Sequence, residues 1–146
     1  MRATNFLLIV LIAAALAAYS AWAESERVVR SSPTGIPLVH RAEAEALWHE
    51  PTTLFLDVRP MTDYWVGHIK AAVALPYEEM DRRLPELKPR LERARTLVVY
   101  CKSVDCGKSL WAAIELRNAG LSNVVIYPNG WHDWVDAGLP AFKAER

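Results

Sequence analysis

The chemistry of this sequence centres on Cys101. The residue follows the apolar run Leu97-Val98-Val99-Tyr100 and opens the segment Lys102-Ser103-Val104-Asp105-Cys106-Gly107, after which a helical pattern starts at Lys108. In open α/β sheets, ligands bind beyond the carboxyl ends of strands, and this segment lies there. A loop that curls around Cys101 and then enters a helix turns backbone N–H groups and the positive helix end toward the sulfur. Those groups favour thiolate over thiol, which makes a cysteine nucleophilic near neutral pH. Lys102 and Lys108 add positive charge, whereas Asp105 disfavours a second anion. A free cysteine at a strand end also serves simply as a small apolar residue. On position alone the two readings stand level.

The elements that must hold this loop follow from the apolar pattern. Leu54-Phe55-Leu56, Ala72-Val73-Ala74-Leu75, Leu97 to Tyr100 and Val124-Val125-Ile126-Tyr127 are short continuous apolar runs. Strands buried on both faces of a parallel sheet require such runs. Helical patterns lie between them, at Ala42 to His49, Tyr77 to Leu91 (broken by Pro85 and Pro89), Lys108 to Ala119 and Trp131 to Ala137. In the third, Leu110, Ala113 and Ile114, widened by Leu116, predict the buried stripe, and Gly120 is placed as the residue just past the helix end. The alternation predicts an α/β fold with one mostly parallel central sheet flanked by helices.

The composition agrees. A chain of 146 residues holds one domain with a full core and is too short for two ordinary ones. With 52% apolar and 23% charged residues it is not a disordered chain. Seventeen Lys and Arg balance seventeen Asp and Glu, so no basic excess drives binding to nucleic acid. Two cysteines exclude a disulfide-stapled scaffold, and with four histidines they speak against a structural zinc framework.

The N-terminus reads differently from the rest. Arg2 is the only charge before Glu24, Phe6 to Ala18 is an unbroken apolar run, and Ala21-Trp22-Ala23 fits a small-x-small cleavage pattern. Residues 1–23 therefore read as a secretory signal peptide. The alternative is a retained anchor, since the apolar stretch reaches the lower edge of membrane-spanning length. Either way the expected location is outside the cytoplasm: periplasmic or secreted if cleaved, membrane-anchored if not. Residues 24–36, with Ser31, Ser32, Pro33, Thr34 and Gly35, have the composition of a linker, and residues 37–146 form the expected domain.

Four further motifs occur in order around the cysteine segment. They are Leu56-Asp57-Val58-Arg59, then Gly67-His68-Ile69, then, beyond the run ending in Cys101, Gly130-Trp131 with Trp134, and Ala137-Gly138-Leu139-Pro140. Together with Val98-Val99-Tyr100-Cys101 they resemble the rhodanese-like sulfurtransferase domain over about residues 37–143. The resemblance implies that Cys101 accepts a sulfur atom from a donor such as thiosulfate, holds it as a persulfide and passes it to a thiol acceptor, small or proteinaceous. It implies that Lys102, Ser103, Val104, Asp105, Cys106, Gly107 and Lys108 bind substrate, largely through backbone amides. No metal or organic cofactor is implied. Asp57 and Arg59 are read as orienting a strand end, with Arg59 also a candidate substrate contact. Gly67 and Gly130 are expected where a Cβ has little room. Trp131 and Trp134 are assigned to the core, and His68 and His132 carry no evident partner.

The sequence departs from the family at one place. Typical single-domain members have an Arg or a small polar residue about five positions after the cysteine, where Cys106 stands here, and the next basic residue is Lys108. A phosphatase relative would need Cys-x5-Arg, whose guanidinium grips a phosphoryl group in bidentate fashion, and that Arg is absent. Cys106 instead opens a second reading. As a resolving thiol it would close a disulfide with Cys101, giving a thiol–disulfide relay or redox sensor. A non-catalytic binding module is a third reading, and zinc binding lacks the usual paired spacings.

Overall fold

The computed structural model describes Ile12 and residues 32–144. Apart from Ile12, the expected signal peptide or anchor lies outside the described residues, as does most of the linker. Helix α1 (Arg41–Trp48) leads to strand β1 (Thr53–Asp57), helix α2 (Met61–Val66) and the short strands β2 (Gly67–Ile69) and β3 (Val73–Ala74). A 3-10 turn at Tyr77–Glu79 runs into helix α3 (Met80–Leu91), followed by β4 (Thr96–Tyr100), α4 (Lys108–Asn118), β5 (Val124–Tyr127), α5 (Gly130–Asp136) and β6 (Ala141–Lys143).

The central sheet has the order β3-β1-β4-β5 and is parallel throughout. Leu38 bridges Ile126 at its outer edge. Successive residues of β4 face opposite sides, as strand geometry requires. Leu97 and Val99 join Leu56, Ala113, Leu116 and Ile126 in one core cluster, while Val98 and Tyr100 join Phe55, Tyr127 and Trp134 in the other. Both faces are therefore buried, which is why the strands read as continuous apolar runs.

Four details differ from the sequence reading. First, the buried face of α4 is Ser109, Ala112, Ala113 and Leu116, whereas Leu110 and Ile114 are half-exposed. Ala113 and Leu116 of the predicted stripe are buried and Leu110 and Ile114 pack against the same core cluster, while Ser109 and Ala112 extend the buried face beyond it. Second, Pro85 and Pro89 sit within one continuous helix, whose ends Met80 and Leu91 are anchored in the core. Third, β2 and β6 form a separate antiparallel pair that the sequence pattern does not reveal. Fourth, the described end of the linker is packed: Ile36 lies in the core, and the Ser32 hydroxyl accepts its N–H. Gly120, by contrast, stands where it was placed. Its φ of 92° lets its own N–H reach the Arg117 carbonyl and the Leu121 N–H reach that of Leu116, a Schellman end to α4.

Candidate active site

The carboxyl ends of the central strands carry a row of polar side chains. Register places Asp57 beside Tyr100 and Tyr100 beside Tyr127. The Tyr100 hydroxyl donates to Asp57 Oδ2 at 2.7 Å and accepts the Ile69 N–H at 3.1 Å. Arg59 Nη2 donates to the same carboxylate oxygen at 2.6 Å and to the Gly67 carbonyl at 2.6 Å. Burial works against the Arg59 charge, but the Asp57 hydrogen bonds outweigh it and hold the guanidinium more firmly protonated than usual. Burial, reinforced by the Asp57 charge, pushes the Tyr100 hydroxyl well above the ordinary phenol range. Asp57 and Arg59 thus tie β1 to β2 and β4, as the sequence reading of a strand-end anchor expected.

Cys101 follows directly from β4 and is 2% exposed, a member of the core cluster. Its backbone is fixed from below. The Cys101 carbonyl accepts the Trp131 N–H at 2.9 Å, and the Lys102 carbonyl accepts the His132 N–H at 3.0 Å. The start of α5 comes so close that a Cβ on Gly130 (φ 62°) would overlap the Cys101 carbonyl. At Gly67 a Cβ would stand 2.9 Å from the Trp131 ring. Both glycines occupy crowded positions, as anticipated.

The loop itself is closed by a disulfide between Cys101 and Cys106, with their Cα atoms 6.1 Å apart. The Cys106 N–H donates to the Ser103 carbonyl at 3.0 Å, so this amide is held within the loop turn. Lys102, Val104, Asp105 and Gly107 are exposed, and Ser103, Cys106 and Lys108 are half-buried. Gly107 caps α4, whose first residue Lys108 reaches across to pair with Glu78. The Lys108 hydrogen bond holds the Glu78 carboxyl below its usual range. Thirty residues separate these partners, and no local spacing could have revealed the pair. The indole of Trp111 lies beside Gly107 and is itself 56% exposed.

Beside the loop is an open cleft of about 180 Å³, lined by Arg59, Asp63, Gly67, Lys102, Trp131 and His132 among others. Trp131 was assigned to the core but is half-exposed here, with the Arg59 guanidinium 4.7 Å from its ring centre. Trp134 is fully buried, as assigned. Trp131 packs against the core cluster that holds Trp134, meets Arg59 in a cation–π contact and also lines the cleft. His132 is exposed at the cleft, whereas His68 lies apart, stacked on Tyr64 and bonded to the Tyr64 carbonyl. Among the described residues, no group of three or more His, Cys, Asp or Glu is arranged to hold a metal ion.

Comparison with known proteins agrees with this arrangement. The family profile described as the rhodanese-like domain matches residues 40–137. The chain is 30% identical over 102 residues to the thiosulfate:glutathione sulfurtransferase of Saccharomyces cerevisiae, covering 62% of this chain and 70% of that protein. The solution structure of a rhodanese-like domain from Anabaena sp. superposes with a TM-score of 0.63 at 28% identity, over 74% of this chain and 80% of that one. The crystal structure of a thiosulfate sulfurtransferase from Pseudomonas aeruginosa gives a TM-score of 0.61 at 26% identity. That match covers 75% of this chain but 21% of the larger protein.

Proposed function

The chain belongs to the rhodanese-like domain family, and on that premise we propose that it transfers sulfane sulfur through a persulfide on Cys101. The observation that carries this reading is the position of Cys101, at the carboxyl end of β4, in a loop that runs straight into the N-terminus of α4. With the disulfide reduced, the Cys101 thiolate attacks the outer sulfur of a donor such as thiosulfate. The donor S–S bond breaks, sulfite leaves with the electron pair, and the persulfide remains on Cys101. An acceptor thiolate then takes the outer sulfur and returns Cys101 to its thiolate. Loop amides other than that of Cys106, which donates to the Ser103 carbonyl, and the N-terminal end of α4 favour the anionic forms. The chemistry calls for no cofactor, because the thiolate is both nucleophile and leaving group.

Lys102, at the cleft, is the cation we assign to an anionic donor, and it makes no salt bridge among the described residues. Arg59 lines the same cleft, but its guanidinium is already bonded to Asp57 and Gly67, so its part is to shape the wall. We place the protein outside the cytoplasm on the strength of its N-terminal sequence. A disulfide across the loop suits an oxidising compartment. Among the described residues no helix is long and apolar enough to cross a membrane.

The same disulfide favours a second reading, a thiol–disulfide relay without sulfur transfer. Mass spectrometry of reduced protein after thiosulfate separates the two. A gain of about 32 Da, one sulfur atom, on the peptide containing Cys101 supports transfer. Return of the Cys101–Cys106 disulfide with neither added sulfur on Cys101 nor release of sulfide supports the relay.

A further inference from the structure

We infer that the Cys101–Cys106 pair gives this chain a further activity: it reduces the sulfur it carries and releases it as hydrogen sulfide. The inference rests on the proposed Cys101 persulfide and follows from what the disulfide shows about reach. The Sγ of Cys106 bonds the Sγ of Cys101 with the Cα atoms 6.1 Å apart, a separation within the range disulfides require. In a loaded protein that Cys101 sulfur is the inner atom of the persulfide. The Cys106 thiolate therefore attacks the inner sulfur, the bond to the outer sulfur breaks, and the outer atom departs with the electron pair as HS⁻. The sulfane sulfur gains two electrons, and the two cysteine thiols are oxidised to the disulfide. Atoms and charge balance with the Cys101 persulfide in its protonated form (–S–SH) and the Cys106 thiolate on one side, the disulfide and HS⁻ on the other; a persulfide anion first takes that proton from solvent.

The loop is built to favour this step. Cys101 is clamped through its own carbonyl and that of Lys102, while the turn from Ser103 to Cys106 brings the second thiol back over it. An attack between two groups on one short loop competes well with any acceptor in solution, since intramolecular reactants enjoy high effective concentrations.

Resetting the loop takes an external dithiol, of a small molecule or a protein, and the structure selects its point of entry. Cys101 is 2% exposed, whereas Cys106 is half-buried. The external thiolate attacks Cys106, forming a mixed disulfide there and expelling the Cys101 thiolate, the species that loop amides and the α4 terminus favour. The second thiol of the dithiol attacks its own sulfur in that mixed disulfide, leaving as an intramolecular disulfide and freeing Cys106. Each cycle thus consumes one sulfane sulfur and one dithiol and yields one sulfide and one external disulfide.

The test is a single turnover. Reduced full-length protein, freed of reductant, is loaded in one arm with thiosulfate and in a second with inorganic polysulfide, which loads an accessible thiolate without a donor site. Sulfide and protein mass are followed in wild type, Cys106→Ser and Cys106→Ala. Wild type should release about one sulfide per loaded Cys101 while the Cys101–Cys106 disulfide appears. Both variants should retain the added sulfur and release sulfide at least about tenfold more slowly until an external thiol is added. Equal persistence of the persulfide in wild type and variants overturns the inference and leaves sulfur transfer standing. Loading by polysulfide but not thiosulfate, followed by sulfide release in wild type alone, supports the inference and removes thiosulfate as donor. No sulfur on Cys101 of either variant in either arm, with no sulfide from wild type, overturns both.

Discussion

Gly130 packs directly against the carbonyl group of Cys101, so closely that no other residue fits there without displacing the backbone. The contact lets the first N–H groups of α5 reach the Cys101 and Lys102 carbonyls and fixes where the thiol stands. Gly130→Ala combines a left-handed backbone with a steric overlap. It should cost about 2–4 kcal/mol of stability. Denaturant unfolding should show this loss, and sulfur loading of the folded fraction should fall as well. Normal stability with normal loading would mean that α5 is free to shift and does not position Cys101.

Cys101→Ser should abolish sulfur transfer. Because Cys101 is part of the core, the serine hydroxyl is also buried, at a cost of about 1–2 kcal/mol relative to the reduced wild type. Cyanide- or thiol-dependent turnover and a melting curve under reducing conditions measure the two effects separately. Retained turnover would move the nucleophile elsewhere.

Lys102 and Lys108 should differ despite their shared charge. Lys102→Ala should raise KM for an anionic donor several-fold with little change in kcat, since it removes a cation at the cleft. Lys108→Ala should affect KM less, because Lys108 is already paired with Glu78. Its signature is instead a rise in the Glu78 carboxyl pKa, which Lys108 holds down. The small stabilisation from that pair is present above the unfolded carboxyl pKa and lost as pH falls through the folded value. Titration of Glu78 by NMR checks the point.

Tyr100 should make the protein sensitive to alkali. Its folded pKa lies well above the unfolded value of 10.0, so the native state holds this proton more tightly. Stability is therefore complete below pH 10 and falls as pH rises from there toward the folded pKa. Tyr64 and Tyr127 are shifted in the same direction. Tyr100→Phe should lose about 1–3 kcal/mol at neutral pH by breaking the bonds to Asp57 and Ile69. The variant should then show a shallower decline at high pH. Melts at neutral pH and across about pH 9 to 11.5 would contradict this if the two proteins declined in parallel.

Much of the fold was legible because burial on both faces leaves an unbroken apolar signature. Leu97 to Tyr100 and Val124 to Tyr127 needed nothing else. The pair β2–β6 left no such trace: three residues are too few for a pattern, and His68 and Phe142 are held by each other and by pairing across the chain. On α4 the apolar side chains marked a face that does pack on the core, but they gave no sign that Ser109 and Ala112 are buried with it, since small residues carry little apolar signal. The Asp57–Arg59 anchor was readable from residue type and spacing, but its third member, Tyr100, looked like an ordinary strand aromatic. Trp131 does pack on the core, as its type suggests, but its contact with Arg59 and its place at the cleft arise only through the fold. As for Cys106, a spacing of five suits an extended segment and a closed ring alike, and only the turn at Ser103 decides between them.

The pairing of β2 with β6 also governs when the site can come into being. Gly67, the residue whose carbonyl holds Arg59, lies opposite Lys143 in that pair. A ribosome that has already delivered β1, β4 and both cysteines has therefore not yet delivered the strand that secures the cleft wall, nor α5, the floor beneath Cys101, which begins 24 residues after Cys106. During synthesis the two thiols meet their surroundings before the protein can restrain them. The oxidation state in which the loop first folds is thus set by the compartment the nascent chain enters, and external dithiols act on it only afterwards.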